Sequence, residues 1–200
     1  ETVSNIISKM DVLLKEVEPD ALLILGDTNS CLSAYPTKRR HIPIFHMEAG
    51  NRCFDQRVPE EINRKIVDHL ADINMPYSDI SREYLLREGF PADQIIKTGS
   101  PMYEVLMYYL EKSQNSNILN RLNLKYKDYF VVSAHREENI SSPTQLKKFK
   151  ELLNNLATDF NKKIIVTTHP RTRKALEGYT FDTKIELHKP FNLTDFIQLE

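Results

Sequence analysis

Acidic side chains directly follow two short apolar runs of this sequence, at positions where parallel sheets bind their ligands. Asp27 comes two residues after the run 21–25, and Glu48 follows the run 42–47. Ligands bind at the carboxyl ends of parallel strands, so both carboxylates could act there as general acid or base. Each also has a structural interpretation, because Asp27 or Thr28 could cap the next helix and Glu48 could be a hydrogen-bonded strand end.

His46 is expected on the same side of its predicted strand as Glu48, because side chains alternate along a strand. The alternation therefore predicts a polar pair at the crevice of the sheet. A histidine and a glutamate could begin a metal site, but no third ligand is evident in the sequence. No metal is expected for that reason.

A third candidate carboxylate stands at a predicted helix start. Pro59 suits the first helical position, and Glu60 and Glu61 follow in the first turn, where acidic side chains favour the helix dipole. Arg64 lies one turn later and could pair with either glutamate. These residue types fit an ordinary surface helix, and they also fit a carboxylate that is presented at a helix start and oriented by Arg64.

Basic residues follow two predicted strands in the second half of the chain. His135 and Arg136 come directly after the strand 130–133, where they would suit a phosphate-bearing ligand or form a solvated charged loop. His169 stands at a similar strand end, after residues 164–168. Neither a P-loop nor a GxGxxG motif is present, which disfavours a nucleoside triphosphatase or a dehydrogenase.

Alternating strands and helices must position these residues. The stretch 111–127 is polar, rich in Asn and Ser, and is the best candidate linker. Alternation on both sides of it predicts an α/β protein with two parallel-sheet units. Apolar spacing, prolines and glycines predict strands at 21–25, 42–47, 72–75, 95–98, 130–133, 164–168 and 185–187, and helices at 2–17, 29–40 (interrupted by Pro36), 59–70, 78–88, 101–110, 143–156 and from about 193.

Composition and charge exclude several classes of protein. The 200 residues are 40% hydrophobic and 28% charged, with a formal net charge of −1, which disfavours nucleic acid as a partner. No apolar run approaches the about 20 residues of a membrane helix, and no signal peptide opens the chain, so no membrane partner is expected. Two cysteines are too few for a disulfide framework, which favours a reduced, cytoplasmic location.

Five segments, taken together and in order, resemble the non-hydrolysing UDP-N-acetylglucosamine 2-epimerase family. They are Leu-Gly-Asp-Thr-Asn at 25–29, Phe-His-Met-Glu-Ala-Gly-Asn-Arg at 45–52, Pro-Glu-Glu-Ile-Asn-Arg at 59–64, Thr-Gly-Ser-Pro at 98–101 and Ser-Ala-His-Arg-Glu-Glu-Asn at 133–139. Each segment is weak alone, but five at family spacing are specific. The resemblance implies two Rossmann-like domains that face a cleft, as in GT-B glycosyltransferases, in a cytoplasmic homodimer.

The resemblance also implies a reaction and its residues. The family inverts C2 of a UDP-linked 2-acetamido sugar by eliminating UDP to a 2-acetamidoglycal and adding it back. By this resemblance Asp27, Glu48 and Glu60 form the acid–base set, and His135 lies near the leaving diphosphate.

The remaining matching residues are implied substrate ligands. Arg64 would position Glu60 or the substrate, and Asn63, Arg136 and His169 would contact the substrate. The expected partner is a UDP-2-acetamido sugar. Neither a metal nor a nicotinamide cofactor is expected.

Family segments that contact the nucleotide would lie before residue 1 and after residue 200, and the first residue is not methionine. The sequence is therefore expected to be the middle of a longer protein and to be inactive alone. By the family pattern, residues 1–112 belong to the C-terminal part of the first domain, 113–127 contain the linker and the start of the second domain, and 128–200 belong to its nucleotide-binding N-terminal part.

The longer string 46–55 resembles a capsule and O-antigen branch of the family. Members of that branch make UDP-N-acetyl-L-fucosamine from its L-talo epimer, or act on UDP-diacetamido uronic acids. A GT-B glycosyltransferase, a hydrolysing epimerase and a non-catalytic nucleotide-sugar binding module remain alternatives.

Overall fold

A computed structural model of the chain describes residues 2–134, 142–168, 170–176 and 178–200. The chain divides into two compact units, Glu1–Pro101 and Met102–Glu200. Each unit contains a parallel sheet with helices between its strands, which confirms the predicted α/β class. No helix within the described ranges is both long enough and apolar enough to span a membrane.

The first unit has a three-stranded parallel sheet in the order β1-β2-β3. Its register places the last residues of the three strands, Leu25, Met47 and Met75, side by side. The carboxyl ends of the strands therefore meet at one edge. The elements are α1 (Thr2–Val17), β1 (Leu22–Leu25), a 3-10 helix (Asn29–Ser33), α2 (Ala34–Arg39), β2 (Ile44–Met47), α3 (Pro59–Leu70), β3 (Ile73–Met75), α4 (Asp79–Arg87) and a 3-10 helix (Ala92–Gln94).

Helix α3 packs on this sheet through its apolar face. Val67 is fully buried against Ile44 of β2 and Ile24 of β1, and this cluster is the core under the carboxyl edge. Burial of such side chains contributes roughly 1.5–3 kcal/mol each. This packing fixes where α3 lies along the strands, so its first turn lies beside the carboxyl ends of the strands.

Two sequence predictions for the first unit have different outcomes. The segment 29–40 breaks as expected, into a 3-10 turn followed by α2, with Pro36 in the first turn of α2. The predicted strand 95–98 is wrong. Ile95 forms only an isolated bridge to Asn74, and a 3-10 turn before it and Gly99 at φ 76° after it leave the segment too short for a ladder.

The second unit repeats the arrangement with the strand order β4-β5-β6. Its core contains Leu153 and Ala157 of α7 packed on Ile164, Val166 and Ile185. The elements are α5 (Met102–Gln114), α6 (Ile118–Arg121), β4 (Tyr129–Ala134), α7 (Pro143–Phe160), β5 (Lys163–Thr168), α8 (Pro170–Ala175), β6 (Ile185–His188) and α9 (Leu193–Leu199).

The segment predicted to contain the linker is tied to this second unit. Ser116 and Arg121 both bond to the carboxylate of Asp195 in α9, at 2.5 and 3.0 Å. The compact units divide after Pro101, so α5 lies in the second unit. The domain assignments 1–112, 113–127 and 128–200 refer to the complete protein, and they stay predictions.

Candidate active site

Asp27 and Glu48 lie together at the carboxyl edge of the first sheet. Gly26 turns the chain out of β1 with φ 77°, and Glu48 turns it out of β2 with φ 67°. A Cβ atom built on Gly26 would lie only 3.3 Å from Oε2 of Glu48, so this carboxylate covers the turn that carries Asp27. A left-handed backbone is costly for a non-glycine residue and is concentrated at functional sites, which makes Glu48 a strong candidate.

Two neighbours that the sequence analysis did not single out orient Glu48. The amide nitrogen of Asn51 donates to Oε1 of Glu48 at 3.3 Å, and the Ser81 hydroxyl donates to the amide oxygen of Asn51 at 2.8 Å. The second bond fixes which end of the Asn51 amide faces Glu48. Glu48 is therefore held by a neutral donor, and among the residues that the structure describes no cation pairs with it.

Arg64 joins α3 to the end of β1. Its Nε lies 2.8 Å from Oδ2 of Asp27, and its Nη1 lies 2.9 Å from Oε2 of Glu61. Among the described residues, the guanidinium of Arg64 pairs with Asp27 and Glu61 and not with Glu60. The prediction that Arg64 orients Glu60 is therefore not seen in this structure, and a role for Arg64 in positioning the substrate stays a prediction.

The two adjacent glutamates of α3 have opposite surroundings. Glu61 is fully buried and accepts the backbone N–H groups of Cys53 and Phe54 at 3.0 and 3.2 Å. Burial alone would raise the pKa of Glu61, but these bonds and the nearby Arg64 guanidinium hold the pKa below its ordinary value. Glu60 is half-buried and has no hydrogen-bond or ion-pair partner among the described residues. Glu61 therefore shapes the loop, and Glu60 is free for a ligand.

Asn63 is a structural neighbour of Asp27. Its amide nitrogen donates to the backbone oxygen of Asp27 at 3.0 Å and to the side-chain oxygen of Asn29 at 3.1 Å. Asn63 therefore holds the loop that presents Asp27. The direct contact with substrate that the resemblance implies for Asn63 stays a prediction.

Tyr77, two residues beyond β3, completes this edge and is not among the residues predicted from the sequence. Its hydroxyl oxygen is buried and lacks a hydrogen-bond partner among the described residues. Burial, together with the negative charge of Glu48, raises the pKa of Tyr77. The strand-end rule that identified Asp27 and Glu48 would also have identified Tyr77, because Pro76 and Tyr77 directly follow β3.

His46 is not in the crevice where the alternation placed it. The side chain is fully buried, with Nδ1 2.7 Å from Oδ1 of Asp68 and Nε2 3.0 Å from the carbonyl oxygen of Gly26. Over the parts of the chain that the structure describes, no three His, Cys, Asp or Glu side chains are placed to hold a metal ion.

The second unit carries an apolar cavity of about 320 Å³ at the carboxyl edge of its sheet. Phe191, Leu193 and Phe196 line it together with Pro190 and Thr167, the next-to-last residue of β5. The buried Thr167 hydroxyl has no partner among the described residues.

Three predicted site residues of the second unit, His135, Arg136 and His169, lie outside the described residues. Their roles therefore stay predictions.

The whole chain, residues 1–200, matches the profile of a protein family described as UDP-N-acetylglucosamine 2-epimerase. It is 38% identical over 199 residues to a UDP-N-acetylglucosamine 2-epimerase homolog of Methanococcus maripaludis, covering 95% of this chain and 54% of that protein. It is 32% identical to the UDP-2,3-diacetamido-2,3-dideoxy-D-glucuronate 2-epimerase of Pseudomonas aeruginosa, covering 94% and 52%.

Solved structures give the same result. The structure of UDP-N-acetylglucosamine 2-epimerase from Rickettsia bellii matches with a TM-score of 0.92 and 48% identity, over 98% of this chain and 53% of that one. The Methanocaldococcus jannaschii UDP-GlcNAc 2-epimerase in complex with UDP-GlcNAc and UDP matches with a TM-score of 0.87 and 29% identity, over 97% and 56%. The chain spans about half the length of the curated relatives it matches.

Proposed function

The chain belongs to the UDP-N-acetylglucosamine 2-epimerase family, and from this membership we propose that the complete protein inverts C2 of a UDP-linked 2-acetamido sugar. The observation that carries the proposal is the convergence of Asp27 and Glu48 at the carboxyl edge of the first sheet, with the unpartnered Glu60 one helical turn from Arg64. Epimerisation needs proton transfer on both faces of C2, which one carboxylate does not easily serve.

The proposed route removes the C2 proton and breaks the bond between C1 and the UDP oxygen. This leaves a 2-acetamidoglycal and UDP. A proton then adds to C2 on the opposite face, and UDP adds back to C1, so atoms and charges balance. The C2 proton is only weakly acidic, and carboxylates near C1 stabilise the oxocarbenium character that makes its removal feasible.

We assign the acid–base roles to Glu48, Glu60 and Asp27. Glu48 is held by the neutral Asn51 amide and Glu60 has no partner among the described residues, so both can exchange a proton without breaking an ion pair. Asp27 is paired with Arg64, and we assign it the role of stabilising positive charge near C1.

We assign nucleotide binding to the second unit. His135, Arg136 and His169 are proposed to hold the diphosphate, since histidine and arginine donors suit phosphate oxygens. A uracil ring suits the cavity lined by Phe191 and Phe196, where the Thr167 hydroxyl still needs a partner. Neither a metal nor a redox cofactor is part of the proposal.

A UDP-linked 2-acetamido sugar of a capsule or O-antigen pathway is the proposed substrate. The string 46–55 resembles that branch. The relative from Pseudomonas aeruginosa is named as acting on a diacetamido glucuronate rather than on UDP-GlcNAc. A cytoplasmic homodimer is the proposed working form.

Proton NMR of the complete protein in D2O tests this function. Several UDP-2-acetamido sugars would be supplied, including UDP-GlcNAc and the L-talo and L-fuco 6-deoxy forms, without acceptor or added metal. Deuterium should appear at C2 of both epimers of one sugar. Release of free sugar and UDP would show a hydrolysing epimerase instead. No exchange despite UDP binding would favour a glycosyltransferase or a binding module.

A further inference from the structure

The fully buried His46 is hydrogen-bonded at both ring nitrogens. It lies on β2, two residues before Glu48, and connects Asp68 of α3 to the carbonyl oxygen of Gly26 at the end of β1. The ring therefore links three elements of the first unit. None of the proposed catalytic roles uses it.

Both ring nitrogens of His46 face oxygen atoms. A carbonyl oxygen can only accept, so the ring nitrogen Nε2, 3.0 Å from the oxygen of Gly26, carries a hydrogen. On the other side, Oδ2 of Asp68 already accepts from Arg52 Nη1 at 2.8 Å and from the Gly50 N–H at 3.2 Å. Oδ1 of Asp68 is placed to accept as well, and Nδ1 of His46 lies 2.7 Å from it.

The cluster around His46 also contains one arginine and a second carboxylate. The Arg52 guanidinium is fully buried between two carboxylates, Asp68 at 2.8 Å and Glu88 at 2.7 and 2.6 Å. Burial alone would lower the pKa of Arg52, but Glu88 and Asp68 raise it above its ordinary value. A positive charge on His46 would match the two carboxylates of the cluster with two cations. Buried charges persist when they are paired and hydrogen-bonded in this way.

We propose that His46, held as an imidazolium, is a positioning residue for the reaction, and this rests on the proposed function. The His46 ring holds the carbonyl group of Gly26, the residue before Asp27. The Glu48 carboxylate lies against Gly26, because a Cβ atom there would be 3.3 Å from Oε2. Through Asp68 the same cluster fixes the Gly50 N–H, two residues beyond Glu48. One buried cation thus sets the separation of two reacting carboxylates.

Nitrogen-15 NMR of the histidine-labelled complete protein tests the protonation state without turnover. We expect both ring nitrogens of His46, assigned through the backbone, to give protonated imidazolium signals at pH 7, with slow exchange of both hydrogens. Asp68→Asn should convert the ring to a neutral form with one bare nitrogen. A bare nitrogen in the wild-type protein would overturn the proposal, and this result does not depend on the sugar that is turned over.

Kinetics of His46→Gln test the positioning role. An amide can replace one donor of the ring but not both, so we expect kcat to fall about 10²-fold, as misplacement of a reacting group by about 1 Å does, with KM for the UDP-sugar within about threefold. His69→Gln, which changes an exposed histidine of α3, next to Asp68, should leave both constants unchanged. An unchanged kcat in folded His46→Gln would overturn the positioning role.

The two proposals fail in different ways. If the wild-type protein turns over no UDP-sugar, the proposed function fails, while the nitrogen-15 spectrum still decides the charge of His46. If His46→Gln does not fold, Asp68→Asn provides the kinetic comparison, with the same expected loss of kcat at constant KM. Full activity of folded Asp68→Asn would then overturn the positioning role.

Discussion

At the scale of single residues, three carboxylates at one sheet edge differ in what holds them. Asp27 is paired with Arg64, Glu48 accepts from the Asn51 amide, and Glu60 has no partner among the described residues. A reaction that removes a proton on one face and delivers it on the other can use carboxylates that are held by different partners.

Replacing either proton-transferring carboxylate should remove most of the activity of the complete protein. Glu48→Gln and Glu60→Gln are each expected to lower kcat by about 10²–10⁴-fold, the range of general acid–base catalysis, because the amide cannot exchange the proton. Glu83→Gln, at an exposed position of α4, is the matched control. Deuterium exchange at C2 measures the rate. Full activity in both site variants would favour a binding module over an enzyme.

Tyr77→Phe isolates one hydroxyl group. The buried oxygen has no partner among the described residues, so its loss should not lower the free energy of unfolding and should raise it by up to about 1 kcal/mol. If the Tyr77 hydroxyl forms a hydrogen bond to Glu48 or to the sugar in the substrate complex, Tyr77→Phe should lower kcat/KM about tenfold or more. That is the contribution of one hydrogen bond to a charged group. Unfolding curves and kinetics of the same variant separate the two effects, and a loss of stability without a loss of kcat/KM would contradict the assignment.

At the scale of elements, the sequence predicted the helices and strands well where the signals are local. Helix 59–70 was predicted with its observed bounds, because Pro59 sets its start and the apolar spacing its extent. The strand-end rule also located Asp27 and Glu48. The burial of His46 and the different surroundings of Glu60 and Glu61 could not be predicted. His46 is buried against Asp68, and Glu61 is buried against the backbone of Cys53, and neither contact is visible as a local pattern in the sequence.

The loop that carries Glu48 must approach α4 closely. A Cβ atom on Gly50 would lie 2.4 Å from the Ser81 carbonyl oxygen and 2.9 Å from Cγ of Leu85, and Gly50 has φ 77°. Gly50→Ala should therefore destabilise the protein by roughly 3 kcal/mol or more.

Gly89→Ala provides the control, because φ is 92° there and nothing lies within 4 Å, so only the backbone term of about 1–2 kcal/mol applies. Denaturant unfolding measures both variants. Equal losses would show that Gly50 is kept for its conformation rather than for the close contact.

Glu61 should make the first unit sensitive to acid. Its folded pKa lies below its ordinary value of about 4.3, so its stabilising contribution is present above that value and is lost as the pH falls through the folded pKa. Glu61→Gln should cost about 1–3 kcal/mol at pH 7. The difference from wild type should shrink in acid.

Unfolding of wild type and variant at pH 7 and in acid checks this prediction. Glu16→Gln, at an exposed position of α1, should show neither effect. A Glu61→Gln difference that is the same at both pH values would contradict a role for the ionised carboxylate.

At the scale of the whole molecule, the 200 residues should not be sufficient for turnover. The chain spans about half the length of the curated relatives it matches. In addition, Leu23 and Leu25 of β1 are 62% and 65% exposed, although parallel strands are normally covered on both faces. We expect the 200-residue chain to show no deuterium exchange at C2 and to bind UDP more weakly than the complete protein. Parallel exchange and UDP titrations measure this, and comparable rates in both proteins would show that the two described units contain the entire catalytic apparatus.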